Sequence, residues 1–423
     1  MAPLIVPIAA PEALDVERFG PKTANLARLG SAGLPIPDGF CLDAAAYRLQ
    51  LAALGLQETA ARVWSPQPGE ARRAALAIKL ALLDQPIAAD VRAPLRSAWR
   101  ALKEKGGART VVRSSALVED RVGSSFAGQF ESYLGLEDET EFETAVRSCW
   151  AALWSTRALR YMATHHLNPA DTAMAILVQP LVAARVSGGG LSQTSAGDMV
   201  INATRGLGAS LAQGEVVPER IVLTREGALR EVAQGRQYHY MGCAHGARRA
   251  ARLFATEACL STAQALELGG LLRRVERLMG MPVEIEWALD ETGFKLLQAR
   301  ALHLEPARAP EEIWLRHPGL RGHPAGVGWG SGRARVVNCE CELARVGAGD
   351  VLVTKIAGPA LAQVFSQVAG VVVELGGSTS HLASLARERG IPMVLGVLDA
   401  TQRIPEGVQV AVDGVAGVVR WMR

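Results

Sequence analysis

One histidine stands out by its neighbours. His381 follows Gly376-Gly377-Ser378-Thr379-Ser380 and precedes Leu382, Leu385 and Ala386, with Gly390 and Pro392 beyond. Before the glycines runs Val371-Val372-Val373, a buried-strand pattern. Two glycines permit a turn that a Cβ would obstruct, and the three hydroxyl residues are good helix N-caps. Leu382, Leu385 and Ala386 give the helix an apolar face, Gly390 suits its C′ position, and Pro392 stops it. His381 therefore falls in the first turn of a short helix, where free N–H groups and the positive end of the dipole favour an added anion. A neutral imidazole nitrogen is a competent nucleophile, so the segment suits a histidine that accepts a phosphoryl group. The plainer alternative is a capping or surface histidine.

A second set of residues suits the donor of such a group. Arg113 lies in a probable strand, Thr110–Ser115, that runs into a loop, Gly123–Gln129, rich in glycine and serine. Backbone N–H groups in such a loop can meet phosphate, and a guanidinium adds planar charge-assisted bonds. The runs Val283–Asp290 and Phe294–Arg300 alternate on either side of Glu291-Thr292-Gly293, which fits a three-residue hairpin loop. That register sets Glu286 opposite Gln298 and Glu284 opposite Arg300, all on one face, with direct partners about 4.5–5.5 Å apart. A carboxylate beside an amide oxygen suits Mg²⁺ that shares phosphate oxygens. A solvated hairpin face with a Glu284–Arg300 ion pair is the alternative.

These segments together resemble one family. The string from Gly376 to Pro392 resembles the phosphohistidine signature of the swivelling domain in phosphoenolpyruvate synthase and pyruvate phosphate dikinase, and Asp413–Val419 looks like that domain's end. Gly20-Pro21-Lys22 through Leu29, with Gly33–Phe40, looks like the opening of the same enzymes' ATP-grasp region, although Pro21 stands where the family usually has glycine. The resemblance gives Thr379 an orienting role at the imidazole and Arg387 a contact with the phosphoryl group. It gives phosphate binding to Lys22, Arg113 and Arg300, a nucleotide-covering loop to the segment with Gly128, adenine contacts to the strand with Gln179 and Leu181, and the metal to Glu286 and Gln298. Asn202–Gly208 resembles a further binding segment, with Ala209 in place of a frequent glutamate and Ser187–Ser192 shorter than usual.

The implied fold is α/β and α+β multidomain, an ATP-grasp nucleotide-binding domain followed by a β-rich phosphohistidine swivelling domain. Expected boundaries are 1–305, with subdomains near 1–200 and 201–305, then a proline-rich linker or hinge at 306–326, then 327–423. A single amphipathic helix is expected over Thr140–His165, with strands at Ala173–Leu181 and Met199–Asn202 and a helix at Ser261–Leu278. The implied cofactors are ATP and Mg²⁺. The implied reaction is a dikinase-type transfer in which His381 takes the β-phosphoryl group, releases AMP, and passes phosphate to an unidentified small organic acceptor. Phosphoenolpyruvate synthase and pyruvate phosphate dikinase continue into a pyruvate-binding barrel, whereas this sequence stops at Arg423. Two alternatives follow: a phosphocarrier subunit needing a separate acceptor-binding chain, and a non-catalytic nucleotide-sensing module.

Composition sets the outer limits. The 423 residues exceed one ordinary core. Lysine plus arginine number 45 against 42 acids, so net charge suggests no nucleic-acid partner. No apolar stretch has bilayer-spanning length, and the N-terminus has no basic region before its short, proline-broken apolar run. The expected setting is cytoplasmic, without a membrane. The six cysteines fit neither a zinc site nor a disulfide framework.

Overall fold

The computed structural model describes residues 3–64, 68–106, 109–119, 130, 132–194, 196–237, 254–255, 257–302, 314, 317–355 and 358–422. The chain divides into two compact bodies, the first Met1–Val182 with Lys295–Arg300, the second Ala183–Phe294 with Ala301–Arg423. The mix of helices and sheets is the expected α/β multidomain class.

The first body is built on a five-stranded sheet. Its strands are β1 (Ile5–Pro7), β2 (Phe40–Leu42), β3 (Thr110–Ala116), β4 (Ser132–Leu136) and β5 (Met174–Pro180), in the order β1-β2-β5-β3-β4, every pair antiparallel. β3 is buried at every position, the pattern of a strand covered on both faces. Helices α1 (Val16–Ser31), α2 (Ala44–Ala53), α3 (Gln57–Ala61), α4 (Pro68–Asp84), α5 (Ala89–Glu104), α6 (Glu139–Ala152) and α7 (Thr156–Thr164) complete the body. Trp99 stacks on Phe142, ring centroids 5.2 Å apart, and its indole N–H donates to Thr110 Oγ1 at 3.0 Å. Both large rings are thus buried with the polar handle satisfied.

Two local breaks in this body matter. The helix expected over Thr140–His165 is two: α6 ends at Ala152, and Ser155 caps α7 by accepting from Ala158 N–H at 3.2 Å. A serine able to cap a new helix outweighs the apolar periodicity that ran across it. Helix α1 is interrupted at Gly20, φ 73°, with Pro21 opening the second segment. A Cβ on Gly20 would stand 2.5 Å from Ser115 Oγ, so close approach and backbone both require glycine there. Pro21 suits a first helical position because the amide hydrogen it lacks has no intrahelical acceptor.

The second body holds two larger sheets. The first carries β6 (Val186–Leu191), β7 (Met199–Arg205), β8 (Glu219–Leu223), β9 (Leu229–Ala233) and β12 (Val283–Asp290), in the order β12-β6-β7-β8-β9, all antiparallel. A short pair, β10 (Arg236–Gln237) and β11 (Phe254–Ala255), and helices α8 (Ala209–Ala212) and α9 (Thr262–Met279) lie between β9 and β12 or beside β7 in sequence. Ser261 and Gln264 form a capping box at the start of α9. The strand after β12, β13 (Gly293–Ala301), begins beyond a turn at Glu291–Thr292. Gly293 there has φ 115°, and Asp290 accepts from Thr292 N–H at 2.7 Å.

The other sheet has eight strands: β14 (Gly319–Arg321), β15 (His323–Pro324), β16 (Trp329–Val337), β17 (Val351–Thr354), β18 (Gly370–Val373), β19 (Met393–Leu395), β20 (Gln409–Asp413) and β21 (Val418–Trp421), in the order β14-β21-β20-β16-β17-β18-β19-β15. Strands β16, β17, β18 and β19 run parallel, and the core beneath them is almost all valine and alanine with Ile404 and Trp421. Helix α10 (His381–Glu388) follows β18, and α11 (Ala400–Arg403) follows β19. The stretch 306–326, expected as a linker, is not all connector. Its later part supplies β14 and β15, pairing with β21 and β19, and Leu320 and His323 are buried. Short paired strands are invisible to a reading that sees only prolines and no sustained period. The earlier part, 306–313, lies outside the described residues.

Candidate functional site

The histidine segment folds as its residues dictate. Ser380 is the N-cap of α10, its hydroxyl accepting from Ala383 N–H at 3.3 Å, and His381 is the first helical residue, half-buried. Gly376 has φ 91° and Gly390 φ 67°, the two left-handed positions the sequence reserved for glycine. The strand–turn–helix thus presents His381 at the positive end of a helix.

The loop before His381 sits on the sheet of β6, β7 and β12 within the second body. Gly376 N–H donates to Val216 carbonyl at 3.0 Å. Asn202, on β7 and fully buried, turns its amide oxygen to Ser378 N–H at 3.2 Å and Thr379 N–H at 3.3 Å. Thr379 fills the space above Gly189, where a Cβ would lie 2.5 Å from its Cβ, and a Cβ on Gly377 would lie 2.5 Å from Pro218 Cγ. Gly188 is equally confined, 1.9 Å from the Asn202 carbonyl oxygen if given a Cβ. In the run Ser187–Ser192, short by comparison with the family pattern, Gly189 therefore makes room for the loop, while Gly188 and Gly190 are confined by Trp287, Ile285 and Leu272.

Arg387, expected at the phosphoryl group, makes these contacts within the second body. Nη2 lies 2.9 Å from Glu284 Oε2 and 3.1 Å from Ser384 Oγ, while Nη1 donates to Ser378 carbonyl at 2.7 Å and Ala325 carbonyl at 3.2 Å. Ser384 Oγ lies 2.9 Å from the same Glu284 oxygen. Glu284 and Arg387 side chains are each 6% exposed. Glu284, expected on the polar hairpin face opposite Arg300, binds the histidine helix. Sequence gave no signal for this pair, which is separated by about a hundred residues.

The first body carries the cationic residues. Lys22, just after the Gly20–Pro21 break, is buried, pairs with Glu119 at 3.2 Å and donates to Ser114 carbonyl at 2.9 Å. Arg113 on β3 donates from Nη2 to Gln298 Oε1 at 3.1 Å and from Nη1 to Leu297 carbonyl. Two residues expected at the nucleotide are thereby in contact. Arg300, on β13, is buried. Gln179 on β5 uses its amide to donate to Pro37 carbonyl at 2.9 Å, and Leu181 N–H donates to Arg109 carbonyl at 2.9 Å. An adenine edge expected at Leu181 would find that N–H already engaged. Gly128 lies outside the described residues.

Glu286 lies half-buried on β12, two residues from Glu284 and on the same face. Among the described residues no three or more His, Cys, Asp or Glu side chains gather to hold a metal. Glu286, in the second body, and Gln298, in the first, each offer an oxygen donor of the type that suits a hard cation.

The chain thus combines a body that carries a buried lysine and arginine with a second body in which His381 opens a capped helix over a strand containing Gly188, Gly189 and Gly190. Residues 16–315 match the family described as pyruvate phosphate dikinase, AMP/ATP-binding domain, and residues 346–417 match the PEP-utilising enzyme, mobile domain. The first match takes in well over half of the chain, and the chain belongs to the pyruvate phosphate dikinase family. It is 32% identical to phosphoenolpyruvate synthase of Aeropyrum pernix over 95% of this chain and 56% of that protein. It is 29% identical to phosphoenolpyruvate synthase of Pyrococcus furiosus, over 96% and 57%, and 29% identical to that of Neisseria meningitidis serogroup B, over 95% and 56%. The chain spans little more than half the length of these relatives. Among the described residues no helix is long and apolar enough to cross a membrane.

Proposed function

We propose that this chain carries out the ATP-dependent half of a dikinase reaction in the cytoplasm, with His381 as phosphocarrier and a small organic molecule of the pyruvate type as acceptor. The single observation behind the proposal is the seat of His381: first residue of a capped helix, its loop held by Asn202 and packed on Gly189 of strand β6. In this reading an imidazole nitrogen attacks the β-phosphorus of ATP. The bond from that phosphorus to the α–β bridging oxygen breaks, AMP leaves with that oxygen, and a pyrophosphohistidine remains. Its outer phosphate goes to water or inorganic phosphate, and the remaining phosphoryl group passes to the acceptor.

Lys22, Arg113 and Arg300 offset triphosphate charge, which is the main electrostatic task in phosphoryl transfer. Glu286 and Gln298 would hold Mg²⁺, which supplies charge neutralisation between phosphate oxygens. Lys22 must exchange Glu119 for phosphate, and Gln298 must share its oxygen with Arg113 or release it. The terminal amides at the start of α10 hold the group once it is on His381.

The test uses ATP labelled separately at the β and γ positions, followed by mapping of acid-labile label on the protein. Label from the β position is expected on His381 and absent in His381→Ala. Label retained in that variant refutes the proposal.

A further inference from the structure

A carrier histidine that must visit a nucleotide and then leave needs a dock that is geometrically specific yet weakly held. The second body contains contacts with that character. Arg387 and Glu284 form a buried ion pair at 2.9 Å, joined by Ser384 Oγ, which lies 3.1 Å from Arg387 Nη2 and 2.9 Å from Glu284 Oε2. Burying both charges costs desolvation that largely cancels their attraction, so such a pair fixes geometry more than it adds stability. Glu284 stands on β12, and Arg387 and Ser384 stand on α10. Ser384 is one turn after His381 and shares its helix face, so the contact aims that face at β12. The same face of β12 carries Glu286 two residues on.

We infer that Glu284 is a positioning residue for phosphoryl transfer, docking the His381 helix on β12 through Arg387 and Ser384 beside the residue placed to hold Mg²⁺. The inference rests on the phosphocarrier reading above and adds to it the contact that registers the carrier. It also reassigns Arg387: the guanidinium serves the dock rather than the phosphoryl group.

The experiment follows label from β-labelled ATP onto His381 in the full chain at saturating ATP. Glu284→Gln leaves Arg387 buried without its counter-charge, so the double variant Glu284→Gln/Arg387→Gln, which removes both charges and keeps both shapes, is measured beside it. Circular dichroism and displacement of a fluorescent ATP analogue report folding and nucleotide affinity. We expect labelling at least about tenfold slower in both variants, ATP affinity within about twofold of wild type, and intermediate labelling in Glu284→Asp. Wild-type labelling in the folded double variant overturns the inference. If the wild type itself takes no label, the phosphocarrier reading fails, and docking is judged by hydrogen exchange at the Gly376 amide. Exchange about tenfold faster in the double variant upholds the dock, and unchanged exchange removes it.

Discussion

Lys22 illustrates how a single residue answers to two demands. Its ammonium is paired with Glu119 inside the first body, and Glu119 also accepts from Ala116 N–H at 2.8 Å. Removing one member of a buried pair strands the other, at a cost of about 3–5 kcal/mol. Lys22→Met should therefore lower the unfolding free energy by that order and abolish labelling of His381. Lys22→Met/Glu119→Gln should recover most of the stability and none of the labelling. Denaturant unfolding with the labelling assay checks both, and recovered labelling would show that Lys22 serves the fold alone. His323 makes a second case. It is buried beside Arg220, and its pKa is pushed from the usual 6.5 down to about 3, chiefly by burial and then by that guanidinium. The folded protein keeps it neutral while the unfolded chain protonates it below about pH 6.5, so its share of stability is complete above that pH. That share falls away as pH drops toward about 3. A His323→Leu variant should lose stability less steeply than wild type between pH 6.5 and 3, read by chemical denaturation at each pH.

At the scale of elements, β6 and the turn before α10 fit as a pair. Gly189 faces Thr379 with no room for a Cβ, although a β-branched or alanine side chain would ordinarily suit a strand better than glycine. Gly189→Ala should thus leave the sheet folded and slow labelling of His381 by about tenfold or more while ATP binding persists. Wild-type labelling in that variant would mean the loop does not need this seat. The same elements show what the sequence could and could not reveal. The strand–turn–helix around His381 was readable because every cue was local: glycines, N-cap hydroxyls, an apolar face and a stop. The triple glycine read as a shortened binding segment, since nothing in Ser187–Ser192 says that Thr379, nearly two hundred residues on, occupies the missing volume. The break at Ser155 was hidden because a helical period can continue across two helices. The partner of Arg387 was hidden because charge pairing across the fold leaves no spacing to read.

On the scale of the molecule, the compact bodies and the two family matches cut the chain differently. The second body joins Ala183–Phe294 to Ala301–Arg423, although the ATP-binding match runs over 16–315. Residues on β6 and β7 thus group with β16–β20 in one compact unit. With the dock weakly held, hydrogen exchange in rising urea should show β16–β20 and β6–β7 opening at separate midpoints. A single shared midpoint would show that the dock couples them too tightly to release. The division at residue 182 was not legible, because a strand order that interleaves distant segments has no compositional mark. The overall class was legible, because the segments around Lys22, Arg113, Glu286 and His381 together resemble those of one family.

Arg387 has a consequence beyond the dock. Its Nη1 ties Ser378 carbonyl, in the turn, to Ala325 carbonyl, just after β15, and neither bond involves Glu284. In the proposed carrier cycle, release of the carboxylate leaves these inner ties in place, so the turn and helix would travel already assembled. The imidazole would then arrive at any second surface in the shape in which it left the first, and no refolding step would be charged to each round trip.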